Sequence, residues 1–543
     1  MNRERIGTGF KPDYLPYIVL ALILCVVLYV RIRLLHVPLE RDEGEYAYMG
    51  QLMLKGIAPY GNAYTMKLPG VSFLYALFMM FFGQTVAAIH LGLLLVNGIS
   101  VFLTYLLAYR LLGREAALLS CATYAVLSLS YSLLGVFAHA THFVVLFALA
   151  GFVLLFRHLD RDHTLTLFFS SLCFGLAFIM KQHAALLVGF ALCYLLWRSW
   201  ENPNGSRSKL IARSAVFLFG MIIPYALVIL YVFKAGVFDK FWFWTVQYAR
   251  EYVSEITLRQ GWGYFYGNSS RIVIAQLPFC ILAGIGGCFL CSKKRIESDR
   301  FFILGLFLVS VLAILPGWYF RPHYFIMLLP AVALMAGAVV HPAGLLNSRV
   351  MSRSGRKLML TVLLVTAAGY AFAREKDYFF NHSPRQVSRG CYALSPFPEA
   401  ELIARYLKEH TSPDDRIAIL GSEPEIFFYA DRPSATRHIY MYGLMENHPY
   451  AAQMQQEMIR EIETAKPKYI VMVNIVSSWF AFRPSISTII DWGEKYAREK
   501  YVVAGIIDIM DYDTTRVLWD ENIKGYKPEA VDFLTVLKRK EGF

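Results

Sequence analysis

Long apolar segments recur through the first two thirds of this chain and constrain its fold more strongly than any other feature. A helix needs roughly 20 mostly apolar residues to cross a bilayer core. The chain has 543 residues, is 57% hydrophobic and has a mean hydropathy of +0.44. Segments suited to membrane helices lie at about 14–30, 86–112, 116–134, 143–156, 165–180, 184–197, 215–233, 272–290, 301–316, 325–340 and 358–372. The sequence therefore predicts an α-helical polytopic membrane protein with about 11 spans, plus an interfacial helix over 70–82.

The basic residues predict the orientation of these spans, because loops rich in Lys and Arg stay in the cytoplasm. Basic residues precede the first apolar segment and no small-residue cleavage site follows it, which predicts a retained first helix with a cytoplasmic N-terminus. The basic residues that then fall on the cytoplasmic side are Arg110, Arg114, Arg157, Arg161, Arg198, Arg207, Lys209, Arg213, Lys293, Lys294, Arg295, Arg300, Arg349, Arg353, Arg356 and Lys357. We therefore expect a multi-pass protein of the cytoplasmic (inner) membrane.

A smaller set of basic residues falls on the outer side and departs from this rule. Its members are Arg31, Arg33, Arg41, Lys67, Lys181, Lys234, Lys240 and Arg321. Such residues are candidates for binding an anionic ligand, although Arg31 and Arg33 also fit snorkelling at a helix end. The formal charge of +13 reflects cytoplasmic loops and does not predict nucleic-acid binding.

Three outer segments follow from this topology: 36–85, 234–271 and everything after residue 374. The last segment is long enough for its own core, and it alternates helical and strand patterns. An amphipathic helix is expected over 398–410, and strands over 416–420, 469–473 and 501–506. The expected domains are therefore a membrane domain over 1–373 and an extracytoplasmic soluble α/β domain over 374–543.

The first outer segment carries the residues best suited to chemistry. Asp42 and Glu43 follow the first span, and acidic residues at a bilayer edge usually line a cavity. A carboxylate there could act as a general base, or simply cap the helix that begins nearby. Lys67 stands alone in an apolar, aromatic setting and suits a phosphate clamp, or a headgroup anchor. Tyr46 and Tyr64 fit either hydrogen bonding to a phosphate or an interfacial aromatic belt.

Two further outer sites contain candidate residues. His139 and His142 lie three residues apart and could share a helix face, but a histidine pair without an acidic partner is a weak metal signal. No cofactor is expected; a divalent metal stays an open alternative, for which the sequence shows no clear ligand set. Arg321 could hold an anion, and Tyr324 could face the cavity. The loop over 234–271 is rich in aromatic residues, which suits either sugar stacking or packing on lipid.

These residues resemble a known family. The first outer loop resembles that of GT-C membrane glycosyltransferases, in particular bacterial enzymes related to protein O-mannosyltransferase and to lipid A aminoarabinose transferase. The residues that carry the resemblance are Asp42-Glu43, Tyr46, Tyr64, Lys67 and Pro69, then His323-Tyr324 with Leu328-Leu329-Pro330, then Asp414-Asp415-Arg416-Ile417, Gly421-Ser422-Glu423-Pro424-Glu425 and Pro467-Lys468-Tyr469-Ile470. The resemblance extends over essentially the whole chain, and its first-loop motif is the most specific part.

The resemblance implies a polyprenyl-phosphate-linked sugar as donor and a GT-C fold with an outer catalytic cavity. It places Asp42 at the acidic base position and Glu43 beside it. Lys67 matches the lysine that contacts the donor phosphate, and Tyr324 matches a cavity tyrosine. Many relatives have an aspartate where this chain has His139-Ala140-Thr141-His142, which weakens the case for a second carboxylate and for a metal held by it.

The expected activity is therefore an inverting hexosyl or pentosyl transfer to an acceptor hydroxyl on a lipid, glycan or protein. Asp42 would activate the acceptor, and Lys67 would neutralise the leaving lipid phosphate, helped by Arg321. A lipid-linked-sugar transporter or flippase is a second hypothesis, which predicts charges deep within spans and inverted repeats. A non-catalytic scaffold for envelope assembly is a third.

Overall fold

The computed structural model describes residues 14–201, 206–292, 298–341, 352–480 and 487–542. The basic residues before the first span and those predicted to be cytoplasmic at 293–295 and 349 lie outside the described residues. The helices before residue 375 are α1 (Leu15–Arg33), α2 (Arg41–Leu54), α3 (Gly70–Phe82), α4 (Val86–Leu112), α5 (Arg114–Leu127), α6 (Ala140–Arg161), α7 (Thr164–Met180), α8 (Ala185–Trp200), α9 (Arg207–Lys234), α10 (Phe238–Trp242), α11 (Ala249–Ser254), α12 (Leu258–Ala275), α13 (Leu277–Cys291), α14 (Ser298–Ala313), α15 (Leu329–Ala338) and α16 (Arg353–Arg374). Short 3₁₀ segments lie at Tyr131–Leu133, Gln182–Ala184 and Pro322–Leu328, and a π-helical segment lies at Phe243–Tyr248.

The helices confirm a multi-pass membrane protein, but they do not confirm 11 spans. In the described part of the chain, six helices are long and apolar enough to cross a membrane, or seven if α12 and α13 form one bent span. Shorter apolar helices lie at Gly70–Phe82, Thr164–Met180 and Pro322–Ala338. The predicted segments 86–112 and 70–82 coincide with α4 and α3.

The predicted span at 272–290 is broken in the structure. The axes of α12 and α13 differ by 100°, and Gln276 separates the two helices. Pro278 lies in the first turn of α13, and a proline has no N–H to donate to the carbonyl four residues earlier. That carbonyl, on Ile274, instead accepts from the Tyr370 hydroxyl at 2.9 Å. The break therefore has a local cause that hydropathy alone does not show.

The C-terminal part contains α17 (Pro384–Tyr392), α18 (Phe397–His410), α19 (Glu425–Ala430), α20 (Tyr442–Met445), α21 (Ala451–Ala465), α22 (Val476–Trp479) and α23 (Thr488–Lys500). Its strands are β1 (Ile417–Leu420), β2 (Tyr469–Asn474), β3 (Tyr501–Ile509), β4 (Thr515–Trp519) and β5 (Phe533–Arg539). They form one sheet in the order β1-β2-β5-β3-β4, in which only the β1–β2 pair is parallel. The predicted helix and the three predicted strands are present, and β4 and β5 are additional.

The C-terminal domain packs directly on the first outer loop. Gly44 of α2 meets α19 so closely that a Cβ added there would lie 2.6 Å from the backbone nitrogen of Glu425. The Arg41 guanidinium donates to the Ser422 carbonyl at 2.6 Å and contacts Glu423 Oε1 at 3.2 Å. The two expected domains therefore share a tight interface.

Candidate active site

A cavity of about 480 Å³ lies between the membrane helices and the C-terminal domain. Its walls come mainly from residues 42–67, 180–186, 244–253, 316–324 and 438–443. All three outer segments predicted from the sequence therefore contribute to one site, which places them on the same side of the helix bundle.

A capping box fixes the start of α2 at the edge of this cavity. The Glu40 carboxylate accepts from the Glu43 N–H at 2.9 Å, and the Glu43 carboxylate accepts from the Glu40 N–H at 3.2 Å. The other Glu43 oxygen accepts from the Ala138 N–H and contacts His90 Nε2 at 3.1 Å. Glu43 is fully buried and does not line the cavity. The sequence pairs Glu43 with Asp42 in catalysis, but the structure places Glu43 behind the cavity wall.

Asp42 does line the cavity, and it shares a cation with Glu45. These two carboxylates lie three residues apart, on one face of α2. Lys67 Nζ lies 2.8 Å from Asp42 Oδ1 and 2.5 Å from Glu45 Oε2. The Tyr60 hydroxyl donates to the Lys67 carbonyl at 2.7 Å and fixes the loop that carries the lysine. Lys67 therefore lies beside the candidate base and already has two anionic partners.

The charges of this cluster set its protonation states. Burial alone would raise the pKa of the Asp42 carboxyl, but Lys67 and Arg321 outweigh burial and hold that pKa below its usual range. Burial raises the pKa of the Glu45 carboxyl, and Lys67 opposes the shift. The pKa of Lys67 is raised, because Asp42 and Glu45 outweigh the effect of burial on the ammonium. Asp42 is therefore ionised at neutral pH and can accept a hydrogen bond from a hydroxyl.

Aromatic side chains surround the Lys67 ammonium. Its Nζ lies 4.5 Å from the ring centroid of Tyr46 and 5.8 Å from that of Tyr440, which comes from the C-terminal domain. Tyr64 also lines the cavity, but its hydroxyl donates to Glu457 at 3.0 Å and its ring packs 5.0 Å from Trp244. Tyr46 therefore has the closer relation to the lysine, whereas Tyr64 joins the first outer loop to the C-terminal domain.

Arg321, Tyr324 and Lys181 also line the cavity. Arg321 precedes the 3₁₀ segment, and its guanidinium lies 5.5 Å from the Tyr319 ring. Lys181 Nζ lies 3.8 Å from the ring centroid of Tyr324. Burial lowers the pKa of Lys181 to about 7. The structure places both Arg321 and Tyr324 on the cavity wall, and their roles toward a donor stay predictions.

The histidines are arranged differently from the sequence prediction. His139 does not pair with His142; it stacks on His323, with ring centroids 3.9 Å apart and planes at 16°. His323 lines the cavity, whereas His139 is behind it. His142 is fully buried in the bundle, and neither of its ring nitrogens has a hydrogen-bond partner among the described residues. The expectation that His139 and His142 face the cavity does not match these positions.

Asp42, His139 and His323 nevertheless bring possible metal ligands together. Their ligand atoms lie within 4.8 Å of one another. Two imidazoles on one zinc ion direct their in-plane lone pairs at a single point about 2 Å from each nitrogen. Nearly parallel stacked rings do not converge in this way, so a metal would require at least one ring to rotate. The groups are close enough for a metal, but their orientation does not fit one.

Sequence reasoning missed two contributors to this site. Glu45 could have been found from its spacing of three residues from Asp42, which places both carboxylates on one helix face. Tyr440 could not, because no local pattern brings a residue 373 positions downstream onto Lys67. Lys181 appeared in the sequence only as one of several outer cations.

Part of the chain is similar to known membrane glycosyltransferases. Residues 66–231 match the family model described as dolichyl-phosphate-mannose-protein mannosyltransferase. The undecaprenyl phosphate-alpha-4-amino-4-deoxy-L-arabinose arabinosyl transferase of Pseudomonas aeruginosa strain UCBPP-PA14 is 27% identical over 356 residues, or 62% of this chain and 62% of that relative. The matched region thus spans less than two thirds of the relative's length.

Solved structures share the fold over almost the whole chain. ArnT from Cupriavidus metallidurans, bound to undecaprenyl phosphate, aligns with a TM-score of 0.58 at 14% identity, covering 94% of this chain and 99% of that one. Oligosaccharyltransferase AglB from Archaeoglobus fulgidus, in complex with an inhibitory peptide and a dolichol-phosphate, aligns with a TM-score of 0.57 at 13% identity, covering 94% and 75%. The solved structures therefore show a fold shared with ArnT and AglB, which is the GT-C fold expected from the sequence, while the family model and the relative match part of the chain.

Proposed function

We propose that this protein transfers a sugar from a polyprenyl-phosphate donor to an acceptor hydroxyl at the outer face of the cytoplasmic membrane. The observation that carries the proposal is the ionised Asp42 beside the Lys67 ammonium, in a cavity that both the membrane helices and the C-terminal domain enclose. Relatives named for undecaprenyl phosphate or dolichol-phosphate support a lipid-linked donor. The acceptor is a lipid, glycan or protein, and the sugar is a hexose or pentose.

In the proposed reaction, Asp42 accepts the proton of the acceptor hydroxyl. The acceptor oxygen attacks the anomeric carbon from the face opposite the lipid phosphate and inverts its configuration. The bond between the anomeric carbon and the phosphate oxygen breaks, and its electron pair stays with the polyprenyl phosphate. Such a leaving group needs positive charge rather than a proton, and Lys67 and Arg321 supply that charge. Glu43 contributes by holding α2, so Asp42 is the only base in this scheme.

We further propose that transfer proceeds without a bound metal. The leaving phosphate already faces protein cations, and the stacked His139 and His323 do not direct their lone pairs at a common point. Treatment of the purified protein with EDTA is expected to leave the transfer rate unchanged. If EDTA abolished transfer and added Mn²⁺ or Zn²⁺ restored it, these histidines would have to rearrange around a bound ion.

Replacement of Asp42 by Asn tests the base. The Asn side chain keeps the size of Asp42 and loses the proton acceptor, so transfer is expected to fall about a hundredfold or more while donor binding persists. Asp239→Asn is the matched control, because Asp239 is an exposed acidic residue on the outer side and outside the cavity. Near-parental turnover of Asp42→Asn would show that Asp42 is an ion-pair partner of Lys67 and not the base.

The proposed orientation is tested separately. Ser412 lies in the C-terminal domain and Ser208 lies near the start of α9, and both residues are exposed. A membrane-impermeant maleimide added to sealed cells is expected to label the Ser412→Cys variant above the parental background. The same reagent should leave the Ser208→Cys variant at background. The opposite pattern would place the cavity on the cytoplasmic side.

A further inference from the structure

The cavity contains more positive charge than its carboxylates neutralise. Lys67 is shared by Asp42 and Glu45, at 2.8 and 2.5 Å. Lys181 and Arg321 also line the cavity, and within the described residues neither has a carboxylate oxygen within 4.0 Å. Two of the three cations in the wall therefore lack a direct anionic partner.

Lys181 is in this position because the helix that precedes it stops. The helix α7 ends at Met180, and Lys181 has an extended backbone with φ −159° and ψ 132° before the next helical turn begins. The start of α3 packs against this end of α7 so tightly that a Cβ on Gly70 would lie 2.5 Å from the Ile179 carbonyl oxygen. Gln182 Nε2 also donates to the Met66 carbonyl at 3.4 Å. These contacts hold Lys181 beside the loop that carries Lys67.

Within the described residues, the Lys181 ammonium has no carboxylate oxygen within 4.0 Å; Asp42 attracts it from farther away, and an aromatic ring packs against it. Its Nζ lies 3.8 Å from the ring centroid of Tyr324, which offers a weaker attraction than an anion does. A partly buried ammonium without an anion is costly to keep charged, and burial lowers its pKa to about 7. The position is therefore suited to a ligand that brings its own negative charge.

The transfer reaction moves negative charge across this cavity. The donor phosphodiester has one negative charge, and cleavage of its bond to the sugar leaves a monoester with a second one. The acceptor proton goes to Asp42 at the same time, so the carboxylate becomes neutral. Negative charge thus shifts from Asp42, beside Lys67, towards the phosphate. Cations without a carboxylate partner stabilise that shift better than a cation already shared by two carboxylates.

We propose that Lys181 is a ligand of the donor phosphate and that, together with Arg321, it stabilises the second negative charge that forms on the phosphate during transfer. This inference rests on the proposed function and extends its phosphate site to a residue outside the first outer loop. Lys67 keeps Asp42 ionised and approaches the same phosphate with its remaining N–H.

Binding of two lipid probes, one charged and one uncharged, tests the assignment. Polyprenyl monophosphate and the corresponding polyprenol are titrated at pH 6.5 into the full-length protein, in its parental form and as Lys181→Met, Lys181→Arg and Lys234→Met. Lys234 is the matched control, because it is an exposed lysine on the same side and outside the cavity. Lys181→Met is expected to lose about tenfold to hundredfold in phosphate affinity and to bind polyprenol as the parent does. Lys181→Arg and Lys234→Met should stay within about threefold of the parent.

The outcomes separate this inference from the proposed function. A parent that prefers the monophosphate to polyprenol, with Lys181→Met unchanged, overturns the role of Lys181 alone. A parent that binds both lipids equally overturns the lipid-phosphate donor, and the role of Lys181 with it. A third outcome also contradicts the inference: Lys181→Met loses polyprenol and monophosphate binding equally, and Lys181→Arg binds both normally. In that case Lys181 supports the cavity wall and does not recognise phosphate.

Discussion

Replacement of Lys67 by Met is expected to change the pH dependence of the reaction. Lys67 Nζ lies 2.8 Å from Asp42 Oδ1, and the two side chains are 22% and 18% exposed. Unit charges at this distance interact by about 6 kcal/mol at an effective dielectric constant of about 20, which equals about 4 pKa units. Solvent screening reduces this value, so we expect the pKa of Asp42 to rise by about 2 units. In Lys67→Met, Arg321 would be the main group that opposes the effect of burial on the pKa of Asp42.

The assay is kcat/KM measured from pH 2.5 to pH 8, so that the acid limb expected for the variant falls inside the measured range. A carboxylate base acts only when ionised, so the rate falls as pH drops through the pKa of Asp42. The parent should be flat over most of this range, because its Asp42 pKa lies below the usual value. Lys67→Met should show an acid limb displaced upward by about 2 pH units, and Lys67→Arg should restore most of the parental profile. Superimposable acid limbs in the parent and Lys67→Met would refute the account of this ion pair.

Three further results are expected. Gly44→Ala should lower the thermal unfolding midpoint, because the added Cβ would lie 2.6 Å from the backbone nitrogen of Glu425. Overpacking of this kind costs about 1–3 kcal/mol. Gly98→Ala is the control, because Gly98 faces open space on α4 and its added Cβ should not lower the midpoint. Affinity for a polyprenyl-phosphate sugar should fall as pH rises through about 7, where Lys181 loses its proton. Lys181→Arg should remove this fall, because arginine stays charged. The same pH dependence of affinity in Lys181→Arg and the parent would contradict the role of Lys181. Removal of divalent metals should leave the rate of sugar transfer unaltered, and a transfer rate that depends on added metal would contradict the metal-free mechanism.

The sequence predicts the membrane helices well where hydropathy and helix boundaries coincide. The segments 86–112 and 70–82 match α4 and α3, and Thr85 and Gly83 mark helix ends that local rules recognise. The segment 272–290 fails because Pro278 and Gln276 break an otherwise continuous apolar run. Hydropathy averages over a window and does not detect a single missing N–H.

The roles of the outer basic residues could not be predicted from the sequence. The topology rule selects eight outer cations without distinguishing their roles. The structure shows that Arg31 donates to the Ser128 and Gly135 carbonyls, and that Arg33 donates to the Tyr378 and Phe379 carbonyls. These two side chains bond the protein backbone instead of snorkelling to the interface. Charge and topology alone cannot separate such structural arginines from the cations that face the cavity.

The remaining parts of the site depend on contacts between distant segments. His323 stacks on His139 across 184 positions of sequence, and Tyr440 reaches Lys67 from the C-terminal domain. No periodicity or spacing reports such neighbours, because they follow from how α6, the 3₁₀ segment Pro322–Leu328 and the C-terminal domain pack together. Glu45 is different, since its helical spacing from Asp42 is visible in the sequence.

Cleavage of a lipid-linked sugar tests the proposed transferase activity most directly. The purified protein is reconstituted into sealed vesicles with a polyprenyl-phosphate sugar labelled in both sugar and lipid, together with cell-envelope lipids and glycans as acceptors. The parent protein is expected to release one polyprenyl phosphate for each sugar transferred, and Asp42→Asn is expected to form both products at about a hundredth of the parental rate or less. Movement of the intact donor across the bilayer without cleavage, or release at the parental rate by Asp42→Asn, would contradict the proposal.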